Sequence, residues 1–133
     1  MDLERAVFIS YSQICVFDST LQSPFNPWSD EDVARYFVKS ARSVSFRTEQ
    51  ESATYSVELT DVDHNGSKNG LIRSIEASLT ISDGGSIEIA SISDGFRITE
   101  PTSGELKVRF EEYEGLKIRL TLFRSARTKG YRP

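Results

Sequence analysis

The sequence predicts an all-β protein: an antiparallel β-sandwich of about eight or nine strands with one short helix. Three observations carry this expectation. Apolar residues recur with period two in one run after another, which gives each strand a buried and a wet face. Gly-, Asn- and Asp-rich turns separate those runs at short intervals. Only one stretch, "PWSDEDVARYFVKSA", carries the chemistry of a helix start. An open barrel is the alternative closure of the same strands.

The elements follow in order. In "AVFISYSQICVFD", Val7, Ile9 and Tyr11 alternate, then Ile14 and Val16 continue in the other phase. That slip around Ser12-Gln13 predicts a bulge or a break into two short strands. Next, Ser29 is an N-cap with Asp32 three residues on, a capping box. Asp30, Glu31 and Asp32 fill the first turn, where the helix dipole favours anions. Val33, Tyr36, Phe37, Ser40 and Ala41 recur at helical spacing, which extends the expected helix to 41 and packs its stripe on a sheet.

Strand rows then resume with Val44 and Phe46, with Ala53, Tyr55, Val57 and Leu59, and with Ile75, Ala77, Leu79 and Ile81. Asp83-Gly84-Gly85 is a turn before "SIEIASI", and "GFRIT" follows. Leu106, Val108 and Phe110 pair with Leu116, Ile118, Leu120 and Leu122 across the Tyr113-Glu114-Gly115 turn. The opposite face of that hairpin carries Glu105, Lys107, Arg109 and Glu111 against Lys117 and Arg119, one wet face and one buried.

With 133 residues the chain is long enough for one domain with its own core, expected over 1–123, followed by a basic tail over 124–133. No apolar run approaches the ~20 residues of a membrane span. The start "MDLERAVFIS" lacks the basic and apolar regions of a signal peptide. A single cysteine excludes an intrachain disulfide, and the expected location is cytoplasmic, with no membrane partner.

Net charge is −4 but uneven. The tail "RSARTKGYRP" holds Arg124, Arg127, Lys129 and Arg132, leaving 12 basic and 20 acidic residues in 1–123, a balance of −8. An acidic body disfavours direct binding to nucleic acid, which requires clustered Lys and Arg. It suits a basic partner.

The stretch "DVDHNGSKNG", 61–70, begins with the D-x-[DN]-x-[DN]-G pattern of an EF-hand loop. Such a loop needs a bidentate carboxylate at position twelve and flanking helices. Position twelve is Ile72, Lys68 adds a positive charge, and both flanks alternate like strands. The stretch therefore reads as an acidic loop between strands, and no metal site is expected. A calcium-dependent β-sandwich module using Asp61, Asp63 and Asn65 is the rival class. A carboxylate-based hydrolase is the second rival, since acids are plentiful.

No catalytic residue and no cofactor are expected. Cys15 sits between Ile14 and Val16 in a strand and behaves as a small hydrophobe. His64 lies in the acidic loop, and nothing in the sequence brings the two together as a dyad. "SDGGSIE" has the glycines of a phosphate loop but not its Lys-Ser/Thr.

A count of chain reversals organises the acids. If every consecutive strand reverses, the helix end of the sandwich gathers Asp18, Asp30, Glu31, Asp32, Asp61, Asp63, Asp94, Glu112 and Glu114. The 50–52 turn and the basic tail fall at the other end. From this group Asp30, Glu31, Asp61, Asp63, Asp94, Glu112 and Glu114 are the expected partner-binding residues.

The segments "ISYSQICVFD", "PFNPWSDEDVARYF" and "SVSFRTEQ", then "GGSIEIASISDGFRITEPTSGELKVRFEEYEG", resemble the competence protein J family from about Val7 to about Leu122. The resemblance rests on strands, a Trp and a helix cap, not on catalytic signatures. It implies a small non-enzymatic protein that binds a DNase and blocks it, as a nuclease inhibitor or an immunity protein. The expected partner is then a DNase with a basic cleft. The family supplies no motif that fixes the contact surface, and the basic tail is a departure from it.

Overall fold

Period-two burial builds two five-stranded sheets that face each other. A computed structural model describes residues 2–63, 67–98 and 102–124. The strands are β1 (Asp2–Ile9), β2 (Gln13–Asp18), β3 (Phe37–Ser40), β4 (Ser43–Arg47), β5 (Ala53–Thr60), β6 (Leu71–Ile81), β7 (Ile87–Ala90), β8 (Gly95–Arg97), β9 (Gly104–Tyr113) and β10 (Lys117–Arg124), with helix α1 at Asp30–Arg35. One sheet has the order β1-β5-β10-β9-β6 and the other β3-β4-β2-β7-β8.

The inward rows are those the alternation marks out. Val7, Ile9, Tyr55, Val57, Leu59, Leu79, Ile81, Val108, Phe110, Ile118 and Leu120 come from the first sheet. Ile14, Val16, Val44, Phe46, Ile87 and Ile89 come from the second. Phe46 and Phe110 stack across the gap with ring centroids 4.7 Å apart and planes 6° from parallel. Such pairing adds to the area these rings remove from water.

Three sequence expectations are decided by the structure, the first in favour of two short strands and the other two against the expectation. The phase slip is a full break: Tyr11 (φ 55°) and Ser12 (φ 58°) form a tight turn that passes the chain from one sheet to the other. The helix ends six residues after it begins. Tyr36 adopts φ 71°, ψ 15° and closes it, and Phe37–Ser40 pairs with β4 instead. Aromatic and β-branched side chains at Phe37 and Val38 fit a pleated surface, and sheet pairing overrides the helical spacing of the stripe.

The third difference concerns direction. β5 and β10 run parallel, Ser56 opposite Lys117, while β9 is antiparallel to both β10 and β6. β5 and β6 therefore point the same way, and the 61–70 connection is not a reversal. It starts at the far end of the sheet, and Asp63 and Lys68 lie against the outer face of β9. Asp63 Oδ1 meets Arg109 Nη1 at 2.9 Å, and Lys68 Nζ meets Glu111 Oε2 at 2.6 Å. The 19–29 segment makes a similar traverse over the second sheet, where the Cys15 thiol donates to the Pro24 carbonyl (3.6 Å) and lies 3.1 Å from Ser43 Oγ.

Candidate partner-binding surface

One end of the sandwich, the helix end, collects the 10–12 turn, α1, the 48–52 turn, the 91–94 turn and the 114–116 turn. Its floor is polar, and the strand registers explain why. Leu106, Val108, Phe110 and Glu112 share the inward parity of β9, and Arg73 shares that of Ile75, Ala77 and Leu79 in β6. A bulge between Leu71 and Arg73 sets Arg73 opposite Glu112. The two inward rows thus end in a carboxylate and a guanidinium.

Glu112 is 1% exposed. Its Oε2 accepts from the Tyr55 hydroxyl (2.8 Å) and from Glu49 N–H (3.0 Å), and Arg73 Nη1 lies 3.7 Å from Oε1. Burial pushes the Glu112 carboxyl above the usual range, against the pull of those hydrogen bonds and of Arg73. Burial, with the Glu112 carboxylate beside it, pushes the Tyr55 phenol up to about 12. Arg73 also pairs with Glu49 through Nη2 at 3.0 Å.

This network holds the surface elements in place. The guanidiniums of Arg73 and Arg47 lie 3.5 and 4.5 Å from the Tyr36 ring centre. Arg47 Nη1 donates to the Val33 carbonyl at 3.0 Å, tying α1 to β4. The capping box is complete: Asp32 N–H donates to Ser29 Oγ (3.1 Å) and Ser29 N–H to Asp32 Oδ2 (3.0 Å).

The expected site residues separate into three groups. Asp30, Glu31 and Glu114 are exposed at the helix end. Asp94 is exposed at the same end but on the opposite flank, where its Oδ2 accepts from Phe8 N–H at 2.7 Å. Glu112 faces the interior. Asp61 and Asp63 lie elsewhere, at the far end, because β5 starts at the helix end with Ala53 opposite Ile9 and runs away from it to Thr60 opposite Asp2. Asp18 is also at the far end, buried, and bound by Arg42 Nε at 3.0 Å and Ser82 N–H at 2.8 Å.

Glu51 was not in the expected group and belongs at this end. The 48–52 turn joins it to the first turn, with Ser12 N–H donating to the Glu51 carbonyl at 3.0 Å. Strand β3 after the short helix, recognised as such, places that turn correctly, because β3 and β4 together return the chain to the helix end. Asp30, Glu31, Glu51 and Glu114 all lack a basic partner among the described residues. Most acids elsewhere are tied: Asp18 to Arg42, Glu58 to Arg119, Asp63 and Glu76 to Arg109, Glu88 to Arg97, Glu111 to Lys68.

Among the described residues no group of three His, Cys, Asp or Glu side chains is placed to hold a metal ion. His64 and Asn65 lie outside the described residues, as does the tail beyond Arg124. Cys15 is buried, and burial pushes its thiol up. No helix among the described residues is long and apolar enough to cross a membrane.

Fold and surface together define a two-sheet β-sandwich whose helix end carries the exposed carboxylates Asp30, Glu31, Glu51 and Glu114. Residues 6–122 match the family model Competence protein J (ComJ), and the chain belongs to that family. Two solved structures share the fold. One is ComJ from Bacillus subtilis, an inhibitor of the DNA degrading activity of NucA, with a TM-score of 0.73 at 17% identity, covering 92% of this chain and 96% of that one. The other is crocagin biosynthetic gene J, with a TM-score of 0.62 at 13% identity, covering 94% of this chain and 97% of that one. No curated protein sequence matches the chain.

Proposed function

We propose that this chain is a non-enzymatic inhibitor of a DNase, which binds the nuclease through the helix end and blocks its access to DNA. Membership of the ComJ family and the activity of the B. subtilis protein support the partner class. The observation that carries the choice of surface is the set of unpaired carboxylates, Asp30, Glu31, Glu51 and Glu114, with Asp94 at the flank. A nuclease cleft is built to attract a phosphate backbone. Carboxylates without internal counter-ions present a similar charge to that cleft, whereas ion-paired ones do not. The site of action is cytoplasmic in this proposal. The single domain ends near 123, and the basic tail has the wrong sign for the same cleft.

The test begins with the immobilised chain, which should retain a DNase from a host lysate. Surface plasmon resonance against that purified DNase should show association slowing as salt rises. The triple reversal Asp30→Lys, Glu31→Lys, Glu114→Lys should lower the on-rate by roughly 10- to 100-fold at low salt and flatten the salt slope. Asp32 is spared because it serves the capping box. Truncation after Arg124 should change affinity by less than about threefold, since a basic arm adds nothing to a basic cleft. A reversal variant that binds like wild type while the truncation loses binding would sink the proposed surface.

A further inference from the structure

Four non-glycine residues among the described ones have positive φ: Tyr11 (55°), Ser12 (58°), Tyr36 (71°) and Leu116 (61°). All four lie at the helix end. A left-handed backbone is unfavourable for any residue with a Cβ, and most of all for bulky ones. Two of the four have an internal reason. Ser12 donates its N–H to the Glu51 carbonyl (3.0 Å) and accepts from Thr48 N–H (2.8 Å). Tyr36 closes α1, with its N–H on the Asp32 carbonyl (2.9 Å) and its ring between two guanidiniums.

The side chains of Tyr11 and Leu116 have no such return. Tyr11 is 72% exposed, and none of the hydrogen bonds, ion pairs or ring contacts of the described residues involves its side chain. It occupies the first central position of a two-residue turn closed by Gln13 N–H on the Ser10 carbonyl (3.4 Å), where both central φ values are positive. Asn-Gly is the pair that such a turn favours. Leu116 is 39% exposed. Its carbonyl accepts from Ser56 N–H (2.9 Å), but its side chain borders an open groove with Arg5, Ala6 and Thr54. Folding alone favours a small or polar residue at both positions.

The two turns flank the start of β5. One reaches it through Ser12 and Glu51, the other through Leu116 and Ser56. Glu51 and Glu114 stand beside them. We infer that Tyr11 and Leu116 are the apolar anchors of the DNase-binding end, inserted into apolar recesses of a partner surface whose surroundings are basic. This rests on the function proposed above. The division of labour follows from the chemistry: rim charges steer encounter, while a desolvated aromatic or aliphatic anchor slows dissociation. Backbone strain concentrates where the chain is held for binding, not for folding.

The experiment uses the full chain and the DNase that wild type retains from the host lysate. Two variants are compared with the triple charge reversal: Tyr11→Asn with Ser12→Gly, and Leu116→Asn. The Tyr11 variant should raise the dissociation rate about 30-fold, about 2 kcal/mol at 1.4 kcal/mol per decade, with the on-rate and salt slope nearly unchanged. Its melting temperature should rise by about 2–4 °C, because the turn gains the residues its backbone prefers. Leu116→Asn should dissociate at least about threefold faster without melting lower. Dissociation rates like wild type, while the charge reversal weakens binding, overturn the anchors and leave the acidic surface standing. A lower melting temperature for the Tyr11 variant also overturns the inference, because the turn residues would then serve folding. If wild type retains no DNase, the proposed function fails and this inference with it.

Discussion

Replacing Glu112 by Leu should unfold the floor of the helix end. Its Oε2 accepts from both the Tyr55 hydroxyl and Glu49 N–H, at 2.8 and 3.0 Å. Leucine leaves both donors without that acceptor, at about 1–3 kcal/mol each. Removing a buried ionisable group returns part of this, because burial already disfavours its charged form. The net loss is about 3 kcal/mol, and a domain of this size should melt roughly 10 °C lower. Glu112→Gln tests the cause. With its amide oxygen in the place of Oε2 both hydrogen bonds persist, while the 3.7 Å approach of Arg73 and the longer 3.3 Å contact of Glu49 N–H, both to Oε1, are lost. Its melting temperature should stay within about 3 °C of wild type near neutral pH.

The pH dependence has a definite sign. The folded-state pKa of Glu112 is raised above its ordinary value. The stability this group contributes is therefore fully present below the unfolded pKa and is lost as pH rises through the folded one. The Gln variant does not titrate there. Its melting temperature should gain on wild type as pH is raised from about 4 to about 8. Differential scanning calorimetry of the three proteins across that range measures both effects. A Leu variant that melts within about 2 °C of wild type, or a Gln variant that loses ground as pH rises, would refute the account of this network.

Two further outcomes are expected. Isothermal titration with calcium should show no saturable binding below about millimolar, since Asp63 is engaged by Arg109 at 2.9 Å and Ile72 offers no ligand atom; a micromolar site abolished by Asp61→Ala would contradict this. Gly85→Ala should lower the unfolding free energy measured by urea titration by about 2 kcal/mol, because its Cβ would meet Asp18 Oδ1 at 2.5 Å and the Ser82 carbonyl oxygen at 3.0 Å; an unchanged midpoint would mean that the 82–86 turn moves aside.

Much of the fold is legible in the sequence because period-two alternation depends on local geometry. The rows through Tyr55, Leu79, Leu106 and Ile118 bury most of the side chains their parity marks; Leu116, expected in the last row, is instead 39% exposed in the turn. The capping box at Ser29 is equally local. What fails is what depends on distant partners. Phe37 and Val38 continue a helical stripe, yet β4 takes them into a sheet. The direction of β6 is set by β9, which comes more than twenty residues later, so the acidic 61–70 loop crosses a sheet and does not turn back at the helix end. Nothing in "YSQ" announces two left-handed residues, because Tyr and Ser disfavour that backbone. Glu112 and Arg73 were within reach of the pattern. Both continue an inward row, and a charged residue on the buried parity of a strand marks an interior network and not an exposed site.

The parallel traverse from β5 to β6 also fixes when the protein becomes whole. β10 occupies the centre of its sheet, between β5 and β9. Among the described strands it is also the last in the sequence. The first sixty residues can form β1 with β5, but the seat beside β5 stays open until residue 124 has emerged. Until then β5 is an unfilled edge with free backbone donors and acceptors, open to misassociation. Completion of this sheet therefore waits for residue 124, and its many long-range pairings make it slow. A nascent chain that lacks the C-terminal hairpin has only part of the sandwich, so the helix end, which includes the 114–116 turn, is completed after the rest.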